Sequence, residues 1–236
     1  MQYTFFDFLT LVGSLGLFLY GMKMMSEALQ KVAGDRLRKI LSAMTSNRFL
    51  GIITGFMVTA MVQSSSATTV MIVSFVNAGL VSVTESIGVI MGANIGTTLT
   101  GWIITLFGFK VKISAYSLPL IGLGLPFIFS KSGTRRSYGE LLIGFALIFL
   151  GLEYLKGSVP DIQENPEVLS FLQQFTGGGI WTTLFFLGIG TLLTVIVQSS
   201  SATMALTFVM CNQGWIEFSH AAAMILGENI GTTKTA

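Results

Sequence analysis

The segment Gly55–Gly101 recurs without gaps at Gly190–Ala236, at a constant offset of 135 and with 19 identities in 47 positions. A chain that repeats itself in this way is built from copies of one unit, so its architecture must be obtainable twice from the same pattern. The matches include VQSSSAT at Val62–Thr68 and Val197–Thr203, Asn77 with Asn212, and Gly79 with Gly214. GANIGTT at Gly92–Thr98 is answered by GENIGTT at Gly227–Thr233. Upstream, LFLYGM at Leu17–Met22 resembles IFLGL at Ile148–Leu152 at an offset of 130, so the duplication begins near each copy's first apolar run.

The surroundings of these blocks require a membrane. Hydrophobic residues make up 52% of the chain and charged residues 10%, with a mean hydropathy of +0.75, whereas soluble domains carry about a quarter charged residues. Several runs reach or approach the roughly 20 apolar residues that cross a bilayer as helix. The alternation of a membrane barrel is missing. The first run, Phe5–Met25, begins with Asp7 and no basic residue and lacks a cleavage pattern, which reads as a span rather than a secretory leader. The expected fold class is an all-α polytopic membrane protein.

Several chemistries lose their means. The single cysteine, Cys211, allows no internal disulfide, and His220, the only histidine, has no second histidine or cysteine to share a metal. GxSxG is absent, so a serine hydrolase has neither its elbow nor a nearby base. No enzyme and no cofactor are expected. The net charge of +2 comes from clusters beside apolar runs, not from a nucleic-acid-binding face.

Loop charge gives orientation, because short cytoplasmic loops collect Lys and Arg. After the first span stand Lys31, Arg36, Arg38, Lys39 and Arg48 against Asp35 alone, which places that loop inside and the N-terminus outside. The equivalent loop of copy two carries Asp161, Glu164 and Glu167 with Lys156 and belongs outside, while the linker KSGTRR at Lys131–Arg136 is basic and cytoplasmic. The copies would therefore be inserted upside down relative to each other, the inverted-repeat plan of secondary transporters in a cell (inner) membrane. Repeat 1 is expected over 1–130, a linker over 131–137, and repeat 2 over 138–236, C-terminally incomplete because the chain stops at Thr232–Ala236 where copy one continues. The stretches Phe49–Val62 and Val70–Val83 are each about 14 residues, too short to cross at 1.5 Å per residue. They predict a re-entrant hairpin over about 49–83, with a second over about 180–218. The following span, Glu85–Phe109, is expected to be a broken helix interrupted at GANIGTT.

An unpaired hydroxyl or amide moved into hydrocarbon costs about 2–7 kcal/mol, so Gln-Ser-Ser-Ser cannot face lipid. Such residues can bond the preceding turn or permit close packing. Two copies, each flanked by half-length helices and each followed 31 residues after its Gln by Asn-x-Gly-Thr-Thr, favour a binding site instead. Hydroxyls, a Gln amide and the N–H groups of a half-helix start all donate, which suits a small oxyanion. Unwound backbone at Asn94–Thr98 would supply the oxygens a hard monovalent cation takes. No Lys or Arg lies in copy one's blocks, so co-bound cations would neutralise the anion. In copy two Glu228 and Lys234 replace Ala93 and Leu99; Glu228 reads either as a charge beside a cavity or as a cation holder. Glu85 and His220, at equivalent positions, read as interfacial, and Gly51 with Gly55 as a close helix-packing pair.

Paired QSSS blocks in an inverted duplication, each followed by GxNIGTT, resemble the type II sodium-dependent phosphate cotransporters, over nearly the whole chain from about Leu17 to Ala236. The resemblance implies a sodium-coupled symporter of inorganic phosphate, with sodium as co-substrate and both QSSS tips lining one site reached by alternating access. It implies that Gln63, Ser64, Ser65, Ser66, Gln198, Ser199, Ser200 and Ser201 contact phosphate and sodium. Asn94, Thr97, Thr98, Asn229, Thr232 and Thr233 would complete the sodium ligands or tip contacts, with Thr68 and Thr203 beside them. A carrier of another small oxyanion or carboxylate, and a phosphate-sensing membrane protein, remain alternatives. A homodimer and a soluble regulatory domain outside this chain are also open.

Overall fold

The computed structural model describes residues 4–42, 47–111, 113–158 and 179–235, the side chains of 34–42 and 235 excepted. The acidic residues assigned to copy two's outer loop lie outside the described residues. The described chain is helical: α1 Phe5–Ser42, α2 Arg48–Val62, α3 Ser65–Asn77, α4 Val83–Ile103 prolonged by a π-helical turn Ile104–Lys110, a 3₁₀ turn Ile113–Tyr116, α5 Ser117–Ile128, α6 Gly133–Ser158, α7 Ile180–Val197, α8 Ser200–Asn212 and α9 Phe218–Thr235. Among the described residues, four stretches are long and apolar enough to cross a membrane: Phe5–Ala33, Val83–Lys110, Gly133–Ser158 and Ile180–Val197. The fold is thus that of an all-α polytopic membrane protein. The chain forms two compact units, Leu19–Phe149 with Ala236, and Met1–Phe18 with Leu150–Thr235.

In the unit Leu19–Phe149, α2 and α4 run parallel and touch backbone to backbone. A Cβ at Gly55 would run into the Val89 carbonyl oxygen and one at Gly92 into that of Ile52, while one at Gly88 would sit 2.8 Å from the Arg48 oxygen and one at Gly96 2.7 Å from Thr59 Cβ. Only glycine admits so close an approach, which is how helices without a hydrophobic drive between them pack in lipid. The pair Gly51 and Gly55 packs on α4 as expected. At the GxNIGTT block the structure differs from the sequence expectation: α4 passes through Gly92–Thr98 as unbroken α-helix. Its glycines serve the α2 seam rather than an unwound segment, so the broken-helix expectation is corrected here. The departure from α geometry comes later, in the π turn, where Phe107 lies edge-on to Phe145 and Phe149 at 6.5 and 6.4 Å.

α1 outlasts its apolar run and continues through the basic stretch to Ser42. It pairs antiparallel with α6: a Cβ at Gly21 would meet Ile148 N at 2.7 Å, and one at Gly144 Met25 N at 2.6 Å. Lys31 of α1 and Arg136 of α6 share Glu140, at 2.8 and 3.3 Å. The basic end of the first span and the basic start of α6 therefore lie together. α6 begins at Gly133, within the basic stretch Lys131–Arg136.

In the other unit, Gly151 of α6 packs on Phe18 of α1, where a Cβ would lie 2.6 Å from the Phe18 nitrogen. α7 and α9 repeat the α2–α4 seam: Cβ atoms at Gly190 and Gly227 would run into the Met224 and Leu187 carbonyl oxygens, and one at Gly231 would lie 2.7 Å from Thr194 Cβ. Each partner is the equivalent, at offset 135, of its counterpart in copy one. α3 and α8 end alike on Gly79 (φ +70) and Gly214 (φ +77), with Leu80 N bonding Phe75 O at 2.9 Å and Trp215 N bonding Met210 O at 2.8 Å. The starts of α4 and α9 differ. Glu85 closes a capping box with Ser82, whereas His220 is buried and stacked on Phe186 at 4.4 Å rather than interfacial.

Candidate functional site

The break between α2 and α3 is a single reversal. Gln63 ends α2 in the left-handed region (φ 56, ψ 28), and Ser64 follows in extended conformation (φ −149, ψ 109) as N-cap of α3, its hydroxyl accepting from Ala67 N at 3.2 Å. A non-glycine residue with positive φ stores backbone strain and persists where the surroundings fix it. Here they do. Gln63 is buried; its N–H donates to Thr59 O at 2.6 Å, its Nε2 to Ala60 O at 2.7 Å, and its Oε1 accepts from Thr100 Oγ1 at 3.0 Å. Ser26 of α1 donates to the Val62 carbonyl at 2.6 Å, satisfying a terminal acceptor of α2. Across the reversal, Thr59 Oγ1 donates to Thr68 Oγ1 at 3.0 Å, and Thr68 in turn to Ser64 O.

The break between α7 and α8 has the same geometry. Gln198 is left-handed (φ 59, ψ 24) and Ser199 extended (φ −153, ψ 108), its hydroxyl accepting from Ala202 N at 3.3 Å. Gln198 N donates to Thr194 O at 2.8 Å, Gln198 Nε2 to Val195 O, and Thr203 Oγ1 to Ser199 O at 3.0 Å. The copies differ in burial: Gln198 is exposed where Gln63 is not. Ser65, Thr68, Ser200, Ser201 and Thr203 are buried, Ser64, Ser66 and Ser199 half-buried. At each break a left-handed Gln leads into a serine-capped helix start. The positive end of the helix dipole lies at each of these starts, and a helix N-terminus favours an anion.

A family model described as Na+/Pi-cotransporter matches residues 17–157 and 166–236. The chain belongs to this cotransporter family. Its members are transporters, not enzymes. YjbB of Salmonella typhimurium, named for inorganic phosphate export, is 32% identical over 225 residues, covering 95% of this chain and 40% of its own length. YqeW of Bacillus subtilis is 31% identical over 222 residues, 93% of this chain and 68% of the relative. Sodium-dependent phosphate transport protein 2A of Rattus norvegicus is 43% identical over 100 residues, 41% of this chain and 15% of the relative. The chain thus spans about two fifths of the length of the YjbB relatives it matches. No solved structure matches significantly.

Within this family frame, the GxNIGTT residues divide. Gly96 and Thr100 lie against the last turn of α2, at Thr59 and Gln63, so this part of α4 braces the first break. Thr97 and Thr232 are buried and bond their own helices, at Ala93 O and Glu228 O. Thr98 and Thr233 are exposed and donate back to Ile95 O at 2.6 Å and Ile230 O at 2.7 Å. Thr98 shares its face with exposed Ile87, Met91, Ile95 and Trp102, an apolar strip. Asn94 and Asn229 are half-buried.

Sequence reasoning missed four residues at the breaks: Ser26, Thr59, Thr100 and Thr194. Thr59 with Thr194, and Thr100 with Thr235, are identities of the internal alignment, so the repeat itself carried that signal. Ser26 has no such mark.

Proposed function

We propose that the protein is a sodium-coupled carrier of inorganic phosphate, with both serine-capped breaks taking part in binding the ions. The observation that carries this reading is the matched backbone at Gln63-Ser64 and Gln198-Ser199, equal within a few degrees in two copies. Strain kept at both breaks needs a reason beyond packing. Gln63, Ser64, Ser65, Ser66 and Thr68, with Gln198, Ser199, Ser200, Ser201 and Thr203, are the proposed phosphate and sodium contacts. Asn94, Thr97, Asn229 and Thr232 support them from the neighbouring helices, while Thr98 and Thr233 belong to the helix surface.

The reciprocal packing of the first spans supports an inverted repeat. Gly21 packs on Ile148 and Gly151 on Phe18, and each pair is the other shifted by 130, the signature of antiparallel equivalents. Sodium as co-substrate rests on the family and on the lack of Lys and Arg in both QSSS blocks, which leaves an anion to be neutralised by bound cations.

The test is labelled-phosphate flux in proteoliposomes under an imposed sodium gradient in either direction, with sulfate, arsenate and succinate as competitors. Flux that follows the gradient and prefers phosphate supports the reading. Flux indifferent to sodium, or carried better by a competitor, overturns it. The likeness to proteins named for phosphate export favours a second reading, outward movement, which the same gradients reveal.

A further inference from the structure

Glu228 puts a charge where copy one has Ala93. It lies in α9 fully buried, with Thr207 of α8 donating to its Oε1 at 2.7 Å and its Oε2 without a hydrogen-bond partner. The equivalent positions in copy one are Ala93 and Ile72, also fully buried and both apolar. An apolar pair at one place has thus become a carboxylate and a hydroxyl at the other, with the surrounding glycine seam kept. Nearby in the same unit, Thr194 packs on Gly231, one turn beyond Glu228, and its Oγ1 too is buried without a partner.

A buried carboxylate with an unpaired oxygen is costly unless something neutralises and coordinates it. Among the described residues no ion pair does so: α7 and α8 contain no Lys, Arg or His, Lys234 is exposed, and His220 is stacked on Phe186 two turns earlier. A bound cation satisfies both the charge and the free oxygen. Thr207, having spent its proton on Oε1, keeps lone pairs to offer. All the candidate ligands are oxygens, the set a hard cation takes, and one carboxylate balances one positive charge.

We infer that Glu228 and Thr207 form a binding site for a monovalent cation of the sodium class, present in copy two and absent from copy one. The inference rests on the proposed function only in naming sodium as the ion.

The test is binding of radioactive sodium to the purified protein without phosphate, choline keeping the ionic strength constant. The variants are Glu228→Gln and the exchange Thr207→Ile with Glu228→Ala. The exchange installs the pair that copy one already buries at this place, so it should fold, which its thermal transition in choline checks. Both variants should bind one sodium ion fewer per chain than the unaltered protein. An unchanged count in both, or an unaltered protein that binds no sodium, overturns the inference. Tip variants Ser65→Ala and Ser200→Ala keep the two readings apart: if they leave the count intact while the Glu228 variants lower it, the tip reading fails and this one stands.

Discussion

Thr100 Oγ1 donates to Gln63 Oε1 at 3.0 Å, both residues buried, joining the end of α4 to the left-handed glutamine at the first break. Thr100→Val strands that amide oxygen, and an unsatisfied buried acceptor costs about 1–3 kcal/mol. The thermal transition of the purified variant should fall accordingly, and phosphate binding should weaken with it. Thr98→Val, on the exposed face, should change stability by less than about 0.5 kcal/mol and leave binding as it was. Equal effects from the two would show that α4 does not brace the break.

The glycine seams give a sharper contrast. Alanine at Gly55, Gly92, Gly190 or Gly227 would drive a methyl group into a facing carbonyl, and overpacking of this kind costs about 1–3 kcal/mol or more. Alanine at Gly13 or Gly188, where nothing stands within 4 Å, should be neutral or gain about 0.5–1 kcal/mol from helix propensity. Thermal transitions in detergent across the six variants decide it.

How much of this was legible in the sequence depends on what each residue can signal. The breaks were readable because Gln and three Ser stand out against hydrocarbon, and because their recurrence ruled out accident. The GxNIGTT blocks were misread because glycine serves unwinding and close packing equally, and only the Val89 and Ile52 carbonyls facing Gly55 and Gly92 distinguish the two. The end of α1 was placed too early, since hydropathy marks where a helix leaves an apolar setting, while Lys, Arg and Leu continue it readily. Ser26 was invisible because its partner, the Val62 carbonyl, is set by tertiary packing alone.

The strained glutamines separate shape from chemistry. Gln63→Gly and Gln198→Gly suit the left-handed backbone better than glutamine does, so both variants should fold. If the amides bind or brace, flux falls at least tenfold in each. Retained flux would reduce these residues to turn formers.

Ser26→Ala removes the donor to the Val62 carbonyl, a loss of about 1 kcal/mol felt at the last turn of α2. Hydrogen exchange should rise there, at Ala60–Gln63, more than in the matching turn Val195–Gln198. Equal protection in the two variants of the turn would contradict the brace.

The most direct measurement of the central claim is sodium-driven phosphate flux in proteoliposomes for the unaltered protein, Ser65→Ala and Ser200→Ala. Flux is expected in sodium, none in choline, and loss in either variant alone, because both breaks are needed. Undiminished flux in choline, or in either serine variant, would contradict it.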